Sequence, residues 1–208
     1  GAGRLAFLTC RYERGEALLV ESSRLAVTLG DRRVEADALQ ILASISRERG
    51  EYATARARHE RCLALWRDLD DRREIARTRN YLTFLGWIGD DPQSLTAAGD
   101  AWRDEAEAEF SSLGDHEGLV WSLLNRGAIA LYAGDQEIAR ATLARALAES
   151  VEVRYQEGIA WSQNLAGLVS LARRERVQAR AQLRASLRVH RRLGDLWRCA
   201  SVLEALGV

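Results

Sequence analysis

His59 and Cys62 stand three residues apart, which places both on one face of a helix and could begin a zinc site. Such a site needs two further ligands, and no Cys-x-x-Cys pair or well-spaced carboxylate supplies them. The expectation is therefore a partly exposed histidine beside a packed cysteine, with no metal. His116 and His190 are isolated, and neither lies near the nucleophile elbow that Ser/His/Asp catalysis requires. The run Asp104-Glu105-Ala106-Glu107-Ala108-Glu109 concentrates carboxylates, but general acid–base work needs a pair in a desolvated cleft. An acidic run of this kind reads as a solvated face, or as a patch for a basic partner. Arg173, Arg174, Arg176, Arg180, Arg184, Arg188, Arg191 and Arg192 form a basic stretch, with 176, 180, 184 and 188 on one stripe. A solvated face, or pairing with a neighbouring domain of a longer protein, is expected there in preference to nucleic acid. No constellation calls for a catalytic residue or a cofactor, so the chain reads as a binding module and not an enzyme.

Composition agrees with that reading. The 208 residues carry 30 basic and 30 acidic groups, for a formal net charge of zero, which leaves no global field to hold nucleic acid. Every basic residue is arginine. Methionine is absent, which suggests an excised piece of a larger protein. Cys10, Cys62 and Cys199 are odd in number and far apart, which fits a reducing cytoplasm better than a disulfide framework. No apolar run approaches the roughly 18–20 residues that span a bilayer, so no membrane contact is expected.

The elements that would position any site announce themselves through one recurring mark. Leu29-Gly30-Asp31 returns as Leu69-Asp70-Asp71, Leu113-Gly114-Asp115 and Leu193-Gly194-Asp195. The aspartates fall 40, 44 and 80 residues apart, the last interval spanning a degenerate copy at Val153-Arg154-Tyr155. A second mark lies between these, at Gly50 and Gly134, with Asp90 and Arg174-Glu175 in the equivalent places. Glycine at such points fits a helix end that needs a positive φ. After each glycine mark, Ala55-Arg56, Ala139-Arg140 and Ala179-Arg180 share one register, and Leu63, Leu147 and Leu187 follow eight residues on. That spacing makes an apolar helical stripe, and the small alanines let two helices approach closely. Each unit is predicted to be two antiparallel helices, which bury their apolar faces only by stacking on neighbours. The units run 32–71, 72–115, 116–155 and 156–195, with part-units at 1–31 and 196–208, in a single solenoid. The third unit is four residues too long, with the excess expected near Ala97-Ala98-Gly99 as a longer or kinked second helix or a curvature-changing insertion. Pro92 is expected in the first turn of that helix.

The pattern Gly-Asp-x-x-x-Ala-Arg-x-x-Leu-x-x-Ala-Leu, complete at residues 134–147, resembles a tetratricopeptide repeat. The Leu-Gly-Asp ending, the 40-residue period and rows such as Leu193-Gly194-Asp195-Leu196-Trp197-Arg198-Cys199 look like the repeats of the MalT-like and AfsR-like regulators of the STAND class, many with a LuxR-type DNA-binding end. The resemblance covers nearly the whole chain. It implies an all-α, right-handed α-α superhelix that serves as the ligand- or partner-sensing arm of a bacterial transcriptional regulator. Nucleotide and DNA binding would then belong to neighbouring domains, since a chain without lysine has no Gly-x-x-x-x-Gly-Lys-Ser/Thr loop. The other reading is a generic tetratricopeptide scaffold that docks a peptide or protein.

In solenoids of this kind the first helix of each unit lines the concave face. Projecting the repeat places Asp37, Gln40, Ser44 and Arg47 there in one unit and Arg77, Asn80, Tyr81, Phe84 and Trp87 in the next. Trp121, Leu124, Asn125 and Ala128 follow, and then Trp161, Asn164 and Leu168. Aromatic faces among amides and arginine would suit a peptide, a protein segment or a small-molecule inducer. Trp121 and Trp161, 40 residues apart, either line this groove or pack between units. Exposed apolar ends also make a homodimer an expectation.

Overall fold

The structure is a computed structural model that describes residues 1–9, 11–88 and 97–207, apart from the side chains of Leu8, Trp87, Ile88, residues 97–100 and Trp197. The chain is all α, a succession of helical hairpins in the helical-repeat class, with no strand among the described residues. Eleven helices are described: α1 (Ala2–Leu8), α2 (Tyr12–Leu29), α3 (Arg32–Glu48), α4 (Tyr52–Asp68), α5 (Arg72–Ile88), α6 (Ala97–Ser112), α7 (His116–Ala133), α8 (Gln136–Glu152), α9 (Gln156–Ala172), α10 (Arg176–Leu193) and α11 (Leu196–Leu206). They fall into two compact units, Gly1–Glu109 and Phe110–Val208.

The recurring mark is a helix stop followed by a helix start. Gly30, Gly134 and Gly194 end α2, α7 and α10 in the left-handed conformation. The residue that follows folds back, as where Asp31 N–H donates to Ala26 O at 2.9 Å and Asp195 N–H to His190 O at 3.0 Å. This closure satisfies carbonyls that the last helical turn leaves open. The same aspartates then open the next helix. Their carboxylates accept from Val34 N–H (3.0 Å, Asp31), Gly118 N–H (3.0 Å, Asp115) and Arg198 N–H (3.1 Å, Asp195), and Asp71 does the same for Glu74 N–H at 3.2 Å. Where the mark lacks glycine the geometry persists: Asp70, Arg154 and Arg174 take φ of 51°, 57° and 63°.

In the first unit α1 to α4 each pack on the next helix in the chain, as does α4 on α5. The core holds Leu19, Ala38, Leu42 and Ile45 in one cluster and Ala36, Cys62, Leu65 and Trp66 in another. Trp66, fully buried, is its largest side chain. Salt bridges from Arg72 to Glu109 and from Arg79 to Glu105 join α5 to α6. In the second unit α7 to α11 pack in the same sequential way, and α7 also meets α9. Val120, Leu123, Leu124, Leu143, Ala146, Leu165 and Val169 share one core. Ala55, Ala139 and Ala179, the alanines of the shared register, have no exposed surface.

Close approach within a hairpin also rests on glycine. A methyl group on Gly127 would stand 2.6 Å from Leu143, one on Gly167 2.7 Å from Leu183, and one on Gly3 2.6 Å from Leu19. Each pair is 16 residues apart, so one packing device recurs in three hairpins. The described length of α6 is 16 residues, no greater than that of its counterparts. Ala97, Ala98 and Gly99, where the excess of the third unit is expected, stand in the first turn of α6, and Pro92 with the rest of residues 89–96 lies outside the described residues. No helix described is long and apolar enough to cross a membrane.

Candidate functional site

Two stretches on first helices carry the residues singled out in the sequence, one in each compact unit. In the first unit α3 supplies Gln40 and Arg47, and α5 supplies Arg77, Asn80, Tyr81 and Phe84. Gln40 is half-buried and tied into the packing. Its amide nitrogen donates to Glu74 Oε2 at 3.3 Å, and its oxygen accepts from Trp66 Nε1 and Thr78 Oγ1, both at 3.4 Å. Arg77 donates to Glu74 Oε1 at 2.8 Å. Arg47 lies over the Phe84 ring at 5.6 Å, a cation–π contact between consecutive hairpins. Tyr81 stacks on His59 of α4, with ring centroids 5.0 Å apart. Asn80 is buried, at 6% exposure. Trp87 belongs to α5, but its side chain lies outside the described residues.

His59 is not the partly exposed residue expected. It is 1% exposed, and burial together with the positive charge of Arg47 lowers its pKa to about 3, so the ring is neutral. Cys62 donates instead to Ala36 O at 3.4 Å, and burial pushes its thiol up to about 12. Both residues are core, because the face they share is the one that α4 turns to the hairpin interior. No cluster of three metal-ligating side chains occurs among the described residues.

In the second unit the two tryptophans meet. Trp121 of α7 and Trp161 of α9 pack edge to face at 6.0 Å, and both remain half-exposed. Trp121 Nε1 donates to Tyr155 Oη at 3.0 Å. Arg198 of α11 lies over the Trp161 ring at 4.9 Å and donates to Asp195 Oδ2 at 2.8 Å. His190 of α10 meets the same indole edge-on at 6.2 Å. Trp161 thus packs between hairpins and is half-buried there. Among the described residues its Nε1 and the Arg198 Nε have no hydrogen-bond partner, nor does either ring nitrogen of His190. Burial holds the His190 pKa below its ordinary value, opposed by Asp195, whose carboxylate is 3.9 Å away.

Leu124, expected in the groove, is a correction. It is 2% exposed and sits inside the α7–α8–α9 core, so it offers no surface to a ligand. Its row in the repeat contains Gln40, Asn80 and Asn164, and the position is buried in three of these four hairpins and half-buried at Gln40. Asn125 and Asn164 are also buried, at 9% and 7%. The amides foreseen as directional groups therefore belong largely to the packing. The surface keeps aromatic faces and guanidinium groups: Arg47, Arg77, Tyr81 and Phe84 in the first unit, Trp121, Trp161 and Arg198 in the second. Tyr155, His190 and Arg198 were missed by sequence reasoning. Tyr155 occupies a degenerate mark, where only the loss of the usual aspartate signals a second role.

No known protein family matches the chain, and neither does any curated protein. Among solved structures it is similar to BtubC (BKLC) from P. vanneervenii, with a TM-score of 0.70 at 17% identity, over 92% of this chain and 78% of that one. At that identity the likeness concerns the fold alone.

Proposed function

We propose that this chain is a non-catalytic docking module whose first-helix faces bind a peptide or a protein segment. One observation carries the reading. Trp121 and Trp161 hold equivalent places in successive repeats and contact each other, yet both leave part of the indole open. Large rigid aromatics with polar edges give much contact area for little conformational entropy, and they dominate protein interfaces for that reason. The paired rings, with Arg198 lying over Trp161, suit a segment laid across them better than a small molecule enclosed in a cavity. The resemblance of the repeats to the arms of MalT-like and AfsR-like regulators supports a place in bacterial transcriptional control, where the bound segment or an inducer would be the signal.

The test is a fluorescence-anisotropy screen of labelled peptides, run beside a thermal-shift screen of sugars and metabolites. A bound ligand stabilises the fold by RT ln(1 + [L]/Kd), about 2.7 kcal/mol at a hundredfold excess over Kd. Peptide hits that weaken at least tenfold in Trp161→Ala support the proposal. Hits indifferent to both Trp121→Ala and Trp161→Ala would remove this face from consideration. Stabilisation by a metabolite alone would favour a small-molecule inducer.

A further inference from the structure

The outer face of α10 carries a charge pattern that the aromatic site does not use. Arg176, Arg180, Arg184, Arg188, Arg191 and Arg192 are all exposed. None of the six side chains has an ion pair or hydrogen bond among the described residues, whereas Arg140, which holds the place of Arg180 forty residues earlier on α8, pairs with Glu137 at 2.8 Å. Helix α10 contains no acidic residue at all, within a chain of zero formal net charge. Its buried residues, Ala179, Leu183, Ser186, Val189 and His190, occupy the opposite side. The arginines therefore form one stripe about 24 Å long, at 1.5 Å per residue from 176 to 192. Six like charges at this spacing repel one another, and such i, i+4 pairs cost a helix a few tenths of a kcal/mol each. An opposite charge laid along the stripe would reverse the sign of that contribution.

We propose that α10 docks an acidic helical segment of a partner protein, one with glutamate or aspartate at four-residue steps. Three features favour that occupant over nucleic acid. The guanidinium groups recur at i, i+4, i+8 and i+12, which matches carboxylates on an apposed helix, and each planar guanidinium can bind a carboxylate through two hydrogen bonds. The other exposed side chains within the stripe are aliphatic, Val177 (88% exposed) and Ala181, which helix side chains can cover. No aromatic group is available there for base stacking. Arginine over lysine decides nothing here, since the whole chain lacks lysine.

The experiment measures binding of a labelled 20-residue alanine–glutamate peptide with glutamate every fourth residue, against a shuffled peptide of equal charge and a 20-base-pair DNA duplex. The protein is used whole, as wild type, as R180E/R184E/R188E and as the milder R184A/R188A, with helicity checked by circular dichroism. The expected result is binding of the regularly spaced peptide in preference to both competitors. Affinity should fall at least tenfold in the triple reversal, fall less in the alanine pair, and weaken as salt is raised from 50 to 300 mM. Should the triple variant not fold, the alanine pair, which removes only exposed groups, carries the test. Tighter binding of the duplex than of either peptide would overturn the proposal. Equal binding of the two peptides, affinity unchanged in the variants, or no binding of the peptide would do so as well.

Discussion

Gly118→Ala separates the tertiary packing of this fold from its helix propensity, because the two predict opposite signs. Gly118 is the third residue of α7, and replacing a helical glycine with alanine stabilises an isolated helix by about 0.5–1 kcal/mol. In this chain the added methyl would stand 2.4, 2.5 and 2.9 Å from Cδ1, Cε1 and Cγ of Phe110. Ordinary carbon contacts lie near 3.5–4 Å, so the ring would have to retreat by about 1 Å. Phe110 is 1% exposed and has no open space to retreat into. Forced overpacking of this kind costs about 1–3 kcal/mol, which outweighs the propensity gain. The variant is expected to be less stable by about 1–2 kcal/mol in urea unfolding followed by circular dichroism. In a Phe110→Val background, where the ring is gone, the same substitution should become neutral or stabilising. The coupling between the two sites should then be about 1–3 kcal/mol. A rise in stability from Gly118→Ala in the wild-type chain, or a coupling under about 0.5 kcal/mol, would refute the packing argument.

Acid sensitivity should trace in part to His59. Its folded pKa, about 3, lies below the ordinary 6.5, so the stability tied to the neutral ring is complete above pH 6.5 and is lost as pH falls from there towards 3. Between pH 7 and 5 this amounts to about 2 kcal/mol, and His59→Leu, which places the side chain found at the equivalent Leu143 and Leu183, should flatten the pH dependence of the urea midpoint by about that much. An unchanged slope would count against a buried neutral imidazole. At the degenerate turns, Arg154→Gly and Arg174→Gly should each raise stability by about 0.5–1 kcal/mol, because glycine accepts the left-handed φ of 57° and 63° without the Cβ clash. Loss of stability in both would mean that the arginine side chains do more than occupy the turn. Cys62, with its thiol pushed up to about 12 from 9, should react with a disulfide reagent about a thousandfold more slowly in the native protein than in urea, as followed by mass spectrometry of the Cys62 peptide.

The hairpin pattern was legible because it is written in residues with few alternatives. Glycine in the left-handed conformation followed by a capping aspartate stops one helix and starts the next, and Gly30-Asp31 and Gly194-Asp195 do so as their spacing implied. The turn at Arg154 was harder to see, since a strained arginine and Tyr155 carry the same geometry through backbone bonds such as Tyr155 N–H to Ser150 O at 2.8 Å. The candidate site was legible only as a row of positions. Helical periodicity says which residues share a face. It cannot say how deep that face lies, so Leu124 and the asparagines projected into the groove although they are buried.

In one row the repeat yields to something else. Position 118 is glycine under Phe110, and position 158 is glycine under Ser150, where an added methyl would stand 2.5 Å from Ser150 Oγ. Forty residues on, the same two places hold Arg198 and His190. Here a guanidinium lies on Trp161, and a fully buried imidazole approaches that indole with both nitrogens unpartnered. Packing explains the glycine rows completely, because a larger residue does not fit. It does not explain the last row, where long polar groups stand in the place of glycine and seryl hydroxyl and leave donors unsatisfied at a cost of about 1–3 kcal/mol each. Residues that obey the period report on the core; Arg198 and His190 break it at a cost, around Trp161, and the core alone does not account for them.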